Sequence, residues 1–228
     1  MQAREIEGNS LSYILVEPDG YDENQEYPAV VLLHGFGASM RDLVGLAPGI
    51  DQSGYLYLFP NAPIRMQFEY GMTGYAWTPS GGQPGGEEAA TRAEELLAGF
   101  FDETMERHGI TEGGMVMGGF SQGGTMTYRF GLRRPEMFAG LVILSGRVTS
   151  PEILADNLPE HRNQPIFVAH GTQDAVTGVE AARESRDFLT TQGYSPQYRE
   201  YNMAHEISQD VMSDLVPWLH NVMPPLSS

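Results

Sequence analysis

The sequence predicts an α/β protein, a single domain with a mostly parallel central sheet and helices on both faces. Three observations carry this. The segments Pro28 to Leu33, Tyr55 to Phe59, Ala139 to Leu144 and Pro165 to His170 are short, apolar and rich in β-branched or aromatic residues, as strands buried on both faces are. Segments with helical spacing alternate with them. A chain of 228 residues, 41% of them hydrophobic, can enclose one sizeable core.

In chain order, Leu11 to Val16 is a strand closed by Pro18, and Gly20 to Gln25 is an acidic turn. The strand Pro28 to Leu33 runs into His34-Gly-Phe-Gly37, a glycine-flanked turn that can aim a backbone N–H at a ligand. Met40 to Leu46 suits a short helix, and the strand Tyr55 to Phe59 ends at Pro60-Asn-Ala-Pro63. Ile64 to Gly86 shows no clean period, and a loop of that length is expected to be functional. Its Met72, Tyr75 and Trp77 are assigned to the wall or a lid-like cover of a substrate pocket, with the alternative that Trp77 plugs the core.

Glu87 to His108 is an amphipathic helix with an acidic first turn that suits the helix dipole. Gly114 to Met126 reads as strand, sharp turn and helix with Ser121 at the apex, the helix continuing to Arg134 before Pro135. The strand Pro165 to His170 leads into Gly171-Thr-Gln-Asp174. Glu180 to Gln192 is a helix, Gln197 to Tyr201 is the last strand, and His205 follows it ahead of a helix through Val222.

The chemistry-bearing pattern is Gly119-Phe-Ser-Gln-Gly123, which fits G-x-S-x-G, a turn that lifts a serine hydroxyl above a sheet. Side chains two residues before or after the serine would collide where strand and helix cross. The pentapeptide alone also fits an ordinary βα turn. The order Ser121, Asp174, His205 decides between them, because each falls at a strand end and the order suits an acid and a base acting on the serine. His34 precedes the serine and is read as structural; His170 lies within a strand end and is read as packed and hydrogen-bonded.

Composition narrows the partners. The formal net charge of −17 argues against nucleic acid and anionic membranes, and disfavours polyanionic substrates. No apolar run is long enough to span a bilayer, and the polar start is unlike a signal peptide, so a cytoplasmic protein without stable membrane association is expected. Without cysteine there is no disulfide or thiol nucleophile, and the scattered histidines show no metal-ligand spacing. No cofactor is implied.

The motifs Leu33-His-Gly-Phe-Gly37, Phe59-Pro-Asn-Ala-Pro63, Gly119-Phe-Ser-Gln-Gly-Gly124, Leu144-Ser-Gly146, His170-Gly-Thr-Gln-Asp174 and Ala204-His205 resemble, in order and spacing, the phospholipase/carboxylesterase family of small α/β-hydrolases. That family includes acyl-protein thioesterases and bacterial carboxylesterases. The resemblance implies a catalytic triad of Ser121, Asp174 and His205, and an oxyanion hole made by the backbone N–H groups of Phe36 and Gln122. Two positions depart from the family pattern: Ala38, where an acidic residue is common, and Ala175-Val-Thr-Gly178, where a Pro-Val-Val-Pro-like run is common. Both border the pocket. The function implied is a serine carboxylesterase for short- to medium-chain esters, with an acyl thioesterase or lysophospholipase as the alternative. A non-catalytic binding protein is the rival from another class, and an intact Ser, Asp and His set argues against it.

Overall fold

The computed structural model describes residues 1–80 and 85–227, the side chain of Tyr70 excepted. Eight strands form the main sheet: β1 (Gln2–Ile6), β2 (Tyr13–Glu17), β3 (Ala29–Leu33), β4 (Leu56–Pro60), β7 (Met115–Phe120), β8 (Phe138–Leu144), β9 (Ile166–Gly171) and β10 (Gln197–Tyr201). Their spatial order is β1-β2-β4-β3-β7-β8-β9-β10. From β4 to β10 every neighbouring pair is parallel, and the first two strands add an antiparallel edge.

Alternation along each strand explains why helices cover both faces. Val31, Leu33, Met115, Met117, Leu141 and Ile143 point into one core; Val30, Leu32, Val116, Val142 and Leu144 point into the other. The first core is closed by α2 (Gly86–His108), α3 (Gln122–Gly131), α4 (Pro151–Ala155) and α5 (Val179–Thr191), through Leu97, Phe101, Phe130, Leu154 and Leu189. The second is closed by α1 (Ala47–Ile50) and α6 (Gln209–Val222), through Ile50, Val211, Leu215 and Leu219. Among the described residues no helix is long and apolar enough to cross a membrane.

Three elements differ from the sequence expectation. The polar opening of the chain forms β1, an edge strand with four exposed residues that hydrogen-bonds along β2, so its pairing is made by backbone and leaves no apolar signature. The helix expected at Met40 to Leu46 is displaced: a 3-10 turn at Val44–Leu46 precedes α1, where Pro48 is tolerated in the first turn. Part of the aperiodic stretch Ile64 to Gly86 is an antiparallel hairpin of β5 (Ile64–Gln67) and β6 (Thr73–Ala76). Residues 81–84 of that stretch lie outside the described residues.

Helices α2 and α3 are joined by a largely buried charge cluster. Arg129 donates to Glu94 at 2.8 Å and in bidentate fashion to Glu87 at 2.5 and 3.0 Å, while Arg133 donates to the other oxygen of Glu94 at 2.9 Å. Removing one member of such a cluster leaves its partner desolvated and uncompensated. Arg129→Ala is therefore expected to cost about 3 kcal/mol, which for this chain length lowers the melting temperature by roughly 6–12 °C. A thermal melt followed by circular dichroism reads the effect, and an unchanged midpoint would show that the cluster adds nothing to stability.

Candidate active site

The site is built around the junction of β7 and α3. Ser121 sits between them with φ 55° and ψ −114°, a conformation that L-residues seldom adopt and that persists only where the surroundings enforce it. The enforcement comes from close backbone contact. A Cβ at Gly119 would overlap the backbone of Gly123, and a Cβ at Gly123 would overlap the Leu33 and His34 carbonyl groups. The Ser121 N–H is held by the Leu144 carbonyl at 2.8 Å, and its own carbonyl accepts from Thr125 at 3.1 Å.

The acid and the base arise from adjacent strands. Asp174 follows β9 and His205 follows β10, and the two loops are stitched together by Thr172 N–H to Tyr201 O at 2.8 Å and Gln173 N–H to Met203 O at 3.1 Å. His205 Nδ1 lies 2.6 Å from Asp174 Oδ2. The other carboxylate oxygen, Oδ1, accepts from the N–H groups of Val176 at 2.9 Å and Thr177 at 2.8 Å. Burial by itself pushes the Asp174 carboxyl up; the bond from His205 and the two N–H groups outweigh it and hold the group below its ordinary value. With Asp174 ionised, the His205 proton is kept on Nδ1 and Nε2 is left as the basic atom. Phe120, the residue before Ser121, packs against the His205 ring with centroids 4.8 Å apart.

The turn after β3 reaches the same place. Among the described residues, no loop or side-chain hydrogen bond engages the N–H of Phe36 or that of Gln122, the first residue of α3. The turn is fixed from the hairpin side by Gly37 N–H to Tyr75 O and Tyr75 N–H to Ala38 O, both 2.8 Å. The Gln122 side chain ties the start of α3 to the run after the hairpin: its oxygen accepts from Trp77 N–H at 2.8 Å, and its amide nitrogen donates to the Thr78 carbonyl at 2.9 Å and hydroxyl at 2.8 Å.

The remaining expectations sort by burial. His34 is buried; its Nδ1–H donates to Gly35 O at 2.8 Å and its Nε2 accepts from Ala62 N–H at 3.1 Å, which fixes the tautomer. Burial holds its imidazole below its usual value, so it stays neutral, a structural residue. His170 is buried too and donates from Nε2 to Thr177 O at 2.7 Å, on the loop that holds Asp174. Trp77 does not line a cleft: it is fully buried in the core, and its indole N–H is spent on the His34 carbonyl at 3.0 Å. Met72 is well exposed, and Tyr75 faces a separate hollow beside Glu5 and Asn61.

The cleft that contains Ser121 has a volume of about 360 Å³, and its walls include Phe36, Thr78, Pro79, Thr149 and Val176. Thr78 and Pro79 follow the hairpin, so among the described residues this wall comes from the run after β6 and not from Met72, Tyr75 or Trp77. A larger hollow of about 660 Å³, beside Arg4 and His108, contains none of the groups at the serine. Among the described residues no three His, Asp or Glu side chains are placed to hold a metal ion.

A mostly parallel sheet with a strained serine turn at the carboxyl end of a central strand is the architecture of the α/β-hydrolases, and the class is that of the serine hydrolases. The sequence model of the phospholipase/carboxylesterase family matches residues 21–223, and the chain belongs to that family. Acyl-protein thioesterase 1 of Emericella nidulans is 28% identical over 216 residues, covering 86% of this chain and 90% of its own. Acyl-protein thioesterase 1 of Kluyveromyces lactis is 27% identical over 209 residues, covering 85% and 91%. Among solved structures, esterase PE8 superposes with a TM-score of 0.80 at 25% identity, covering 93% of this chain and 99% of its own.

The lowered value at Asp174 has a consequence for stability. A carboxyl depressed by folding stabilises the native state fully above its unfolded value, near 4, and loses that contribution as pH falls through the lower folded value. The stability advantage of the wild type over Asp174→Asn should therefore shrink as pH drops below about 4. Urea titrations at stepped pH measure it; an advantage that grows in that range would contradict the assignment.

Proposed function

We propose that the protein is a serine carboxylesterase that hydrolyses short- to medium-chain carboxylic esters through an acyl-enzyme intermediate. The observation that carries the reading is the 2.6 Å His205–Asp174 pair on the loops beside a serine held at φ 55°. In this reading His205 takes the Ser121 proton as the hydroxyl attacks the ester carbonyl, and Asp174 orients the imidazole and offsets its positive charge without being protonated. The N–H groups of Phe36 and Gln122 receive the oxyanion, each worth on the order of 3 kcal/mol by the behaviour of other hydrolases. His205 then protonates the leaving alkoxide, and a water activated in the same way frees the acid.

The cleft supports the chain-length assignment. Its volume of about 360 Å³ lies near the lower end of ligand pockets, and Phe36, Pro79 and Val176 give it apolar walls. The part of segment 64–86 that serves as its wall is the run after the hairpin. A small-molecule ester is the partner in this reading. The second reading is an acyl thioesterase, favoured by the names of the two relatives described above; it uses the same serine chemistry, and the leaving group is then a thiolate.

Two measurements test the proposal. A fluorophosphonate probe should modify Ser121, as mapped by mass spectrometry, and Ser121→Ala should abolish hydrolysis of 4-nitrophenyl butyrate; a fully active variant would remove the serine from the mechanism. Asp174→Asn, which leaves the wrong tautomer on His205, should lower kcat by about 10⁴. Specificity constants on matched butyryl, octanoyl and palmitoyl oxygen esters and thioesters separate the readings. A maximum at butyryl or octanoyl oxygen esters supports the carboxylesterase, and a maximum at palmitoyl thioesters supports the alternative.

A further inference from the structure

Two hollows of unlike character flank the serine and the histidine. The one on the Ser121 side includes Gln122, Thr125, Thr149, Thr177 and Arg147, and among the described residues no Asp or Glu lines it, in a chain that has 30 of them. The one on the His205 side, about 260 Å³, is walled by Leu43, Leu46, Phe120 and Ile207, with Asp42 and Glu206 among its lining residues. The first thus carries one cation and several hydroxyls beside its apolar walls; the second carries acid at its edge.

Arg147 stands apart from the other cations. All 13 basic residues are arginine, and nine of them pair with a carboxylate: Arg4, Arg41, Arg92, Arg107, Arg129, Arg133, Arg183, Arg186 and Arg199. Arg134 and Arg162 lie over the rings of Phe130 and Tyr194. Arg65 is on the hairpin, away from the serine cleft. Among the described residues Arg147 has no carboxylate partner, and it is the one cation lining the space beside Ser121. Its backbone N–H bonds to Thr125 Oγ1 at 3.4 Å, which roots the residue one helical turn past the serine.

The direction of proton transfer says which part of an ester meets it. His205 must hand its proton to the leaving alkoxide, so the alcohol portion lies toward His205 and its acid-edged hollow. The acyl portion is left with the Ser121 side. An anionic group on that portion would be repelled by a protein of net charge −17 unless a local cation received it, and a guanidinium fork matches a carboxylate in shape and charge.

We propose that Arg147 is a specificity residue that binds a carboxylate at the far end of the acyl chain, so that the favoured substrates are half-esters of dicarboxylic acids. Hydrolysis of such a half-ester consumes one water and yields the diacid and the free alcohol. The inference rests on the esterase reading and narrows its substrate class.

The test compares mono-4-nitrophenyl adipate with 4-nitrophenyl hexanoate, two esters of equal acyl length that differ by a terminal carboxylate. Specificity constants are measured for the wild type, Arg147→Gln and Arg147→Lys. In Arg147→Gln the adipate-to-hexanoate ratio should fall about tenfold, through KM and with the hexanoate constant unchanged. Arg147→Lys should retain part of the preference, and 1 M NaCl should reduce it in the wild type. A ratio unchanged in Arg147→Gln, or an equal loss on both esters, overturns the inference while leaving the esterase reading intact. A wild type that turns over neither ester, and whose Ser121 is not labelled by the fluorophosphonate, brings down the esterase reading and the inference with it.

Discussion

The site depends on one contact, the approach of the α3 backbone to the strand ends it crosses. Gly123 lies against the carbonyls of Leu33 and His34, and Gly119 lies against Gly123 itself. No side chain larger than hydrogen fits at either position, so the chain can turn from β7 into α3 within a single residue. Ser121 is that residue, and its φ of 55° is the local cost of the sharp turn. The same contact places the turn after β3 beside the serine, since β3 and β7 are parallel neighbours paired from Ala29 and Met115 to Leu33 and Gly119. The turn after β3 and the start of α3 are thus brought beside the serine before any side chain is considered.

Side chains then lock what the backbone brings together. Gln122 uses both ends of its amide on Trp77 and Thr78, and the Trp77 indole reaches back to the His34 carbonyl. His34 in turn accepts from Ala62. The elbow, the turn after β3 and the segment beyond the hairpin therefore share one hydrogen-bonded frame, largely out of solvent, in which neutral donors and acceptors are matched. The opposite side has its own frame, in which Asp174 is fixed by two N–H groups and its loop is tied to the histidine loop by main-chain bonds. The pair meets at 2.6 Å where two loops bonded to each other through the main chain converge.

Much of this was legible in the sequence because it rests on short-range rules. Strands buried on both faces declare themselves as apolar runs, and the glycines around Ser121 declare a close crossing. The order of Ser121, Asp174 and His205 at strand ends could be read without contacts. What could not be read depends on partners distant in sequence. The edge strand β1 has a polar, exposed sequence and exists through its pairing with β2. The strands of the hairpin have four residues each, too few for a period to show. Trp77 was equally suited to a pocket wall or to the core, and what decides it is a carbonyl 43 positions away. Gln122 was noticed for its N–H, while its side chain, which ties the elbow to Trp77 and Thr78, carried no local signal.

Net charge and local charge also part company here. A value of −17 describes the field far from the molecule and rightly disfavours polyanions as partners. Within a few ångströms the arrangement of pairs decides, and most of the arginines are spent on carboxylates: Arg129 and Arg133 on Glu94, Arg183 on Glu200 and Glu180. Because those cations are neutralised where they stand, the exposed guanidinium of Arg147, without a carboxylate partner among the described residues, is the cation that bears on the space beside the serine. Over the Debye length of about 10 Å in ordinary buffers, the distant acidic surface is screened more strongly than a charge a few ångströms from the bound group. The acidity of the chain and a preference for an anionic acyl group are therefore compatible, since one acts on approach and the other on the bound substrate.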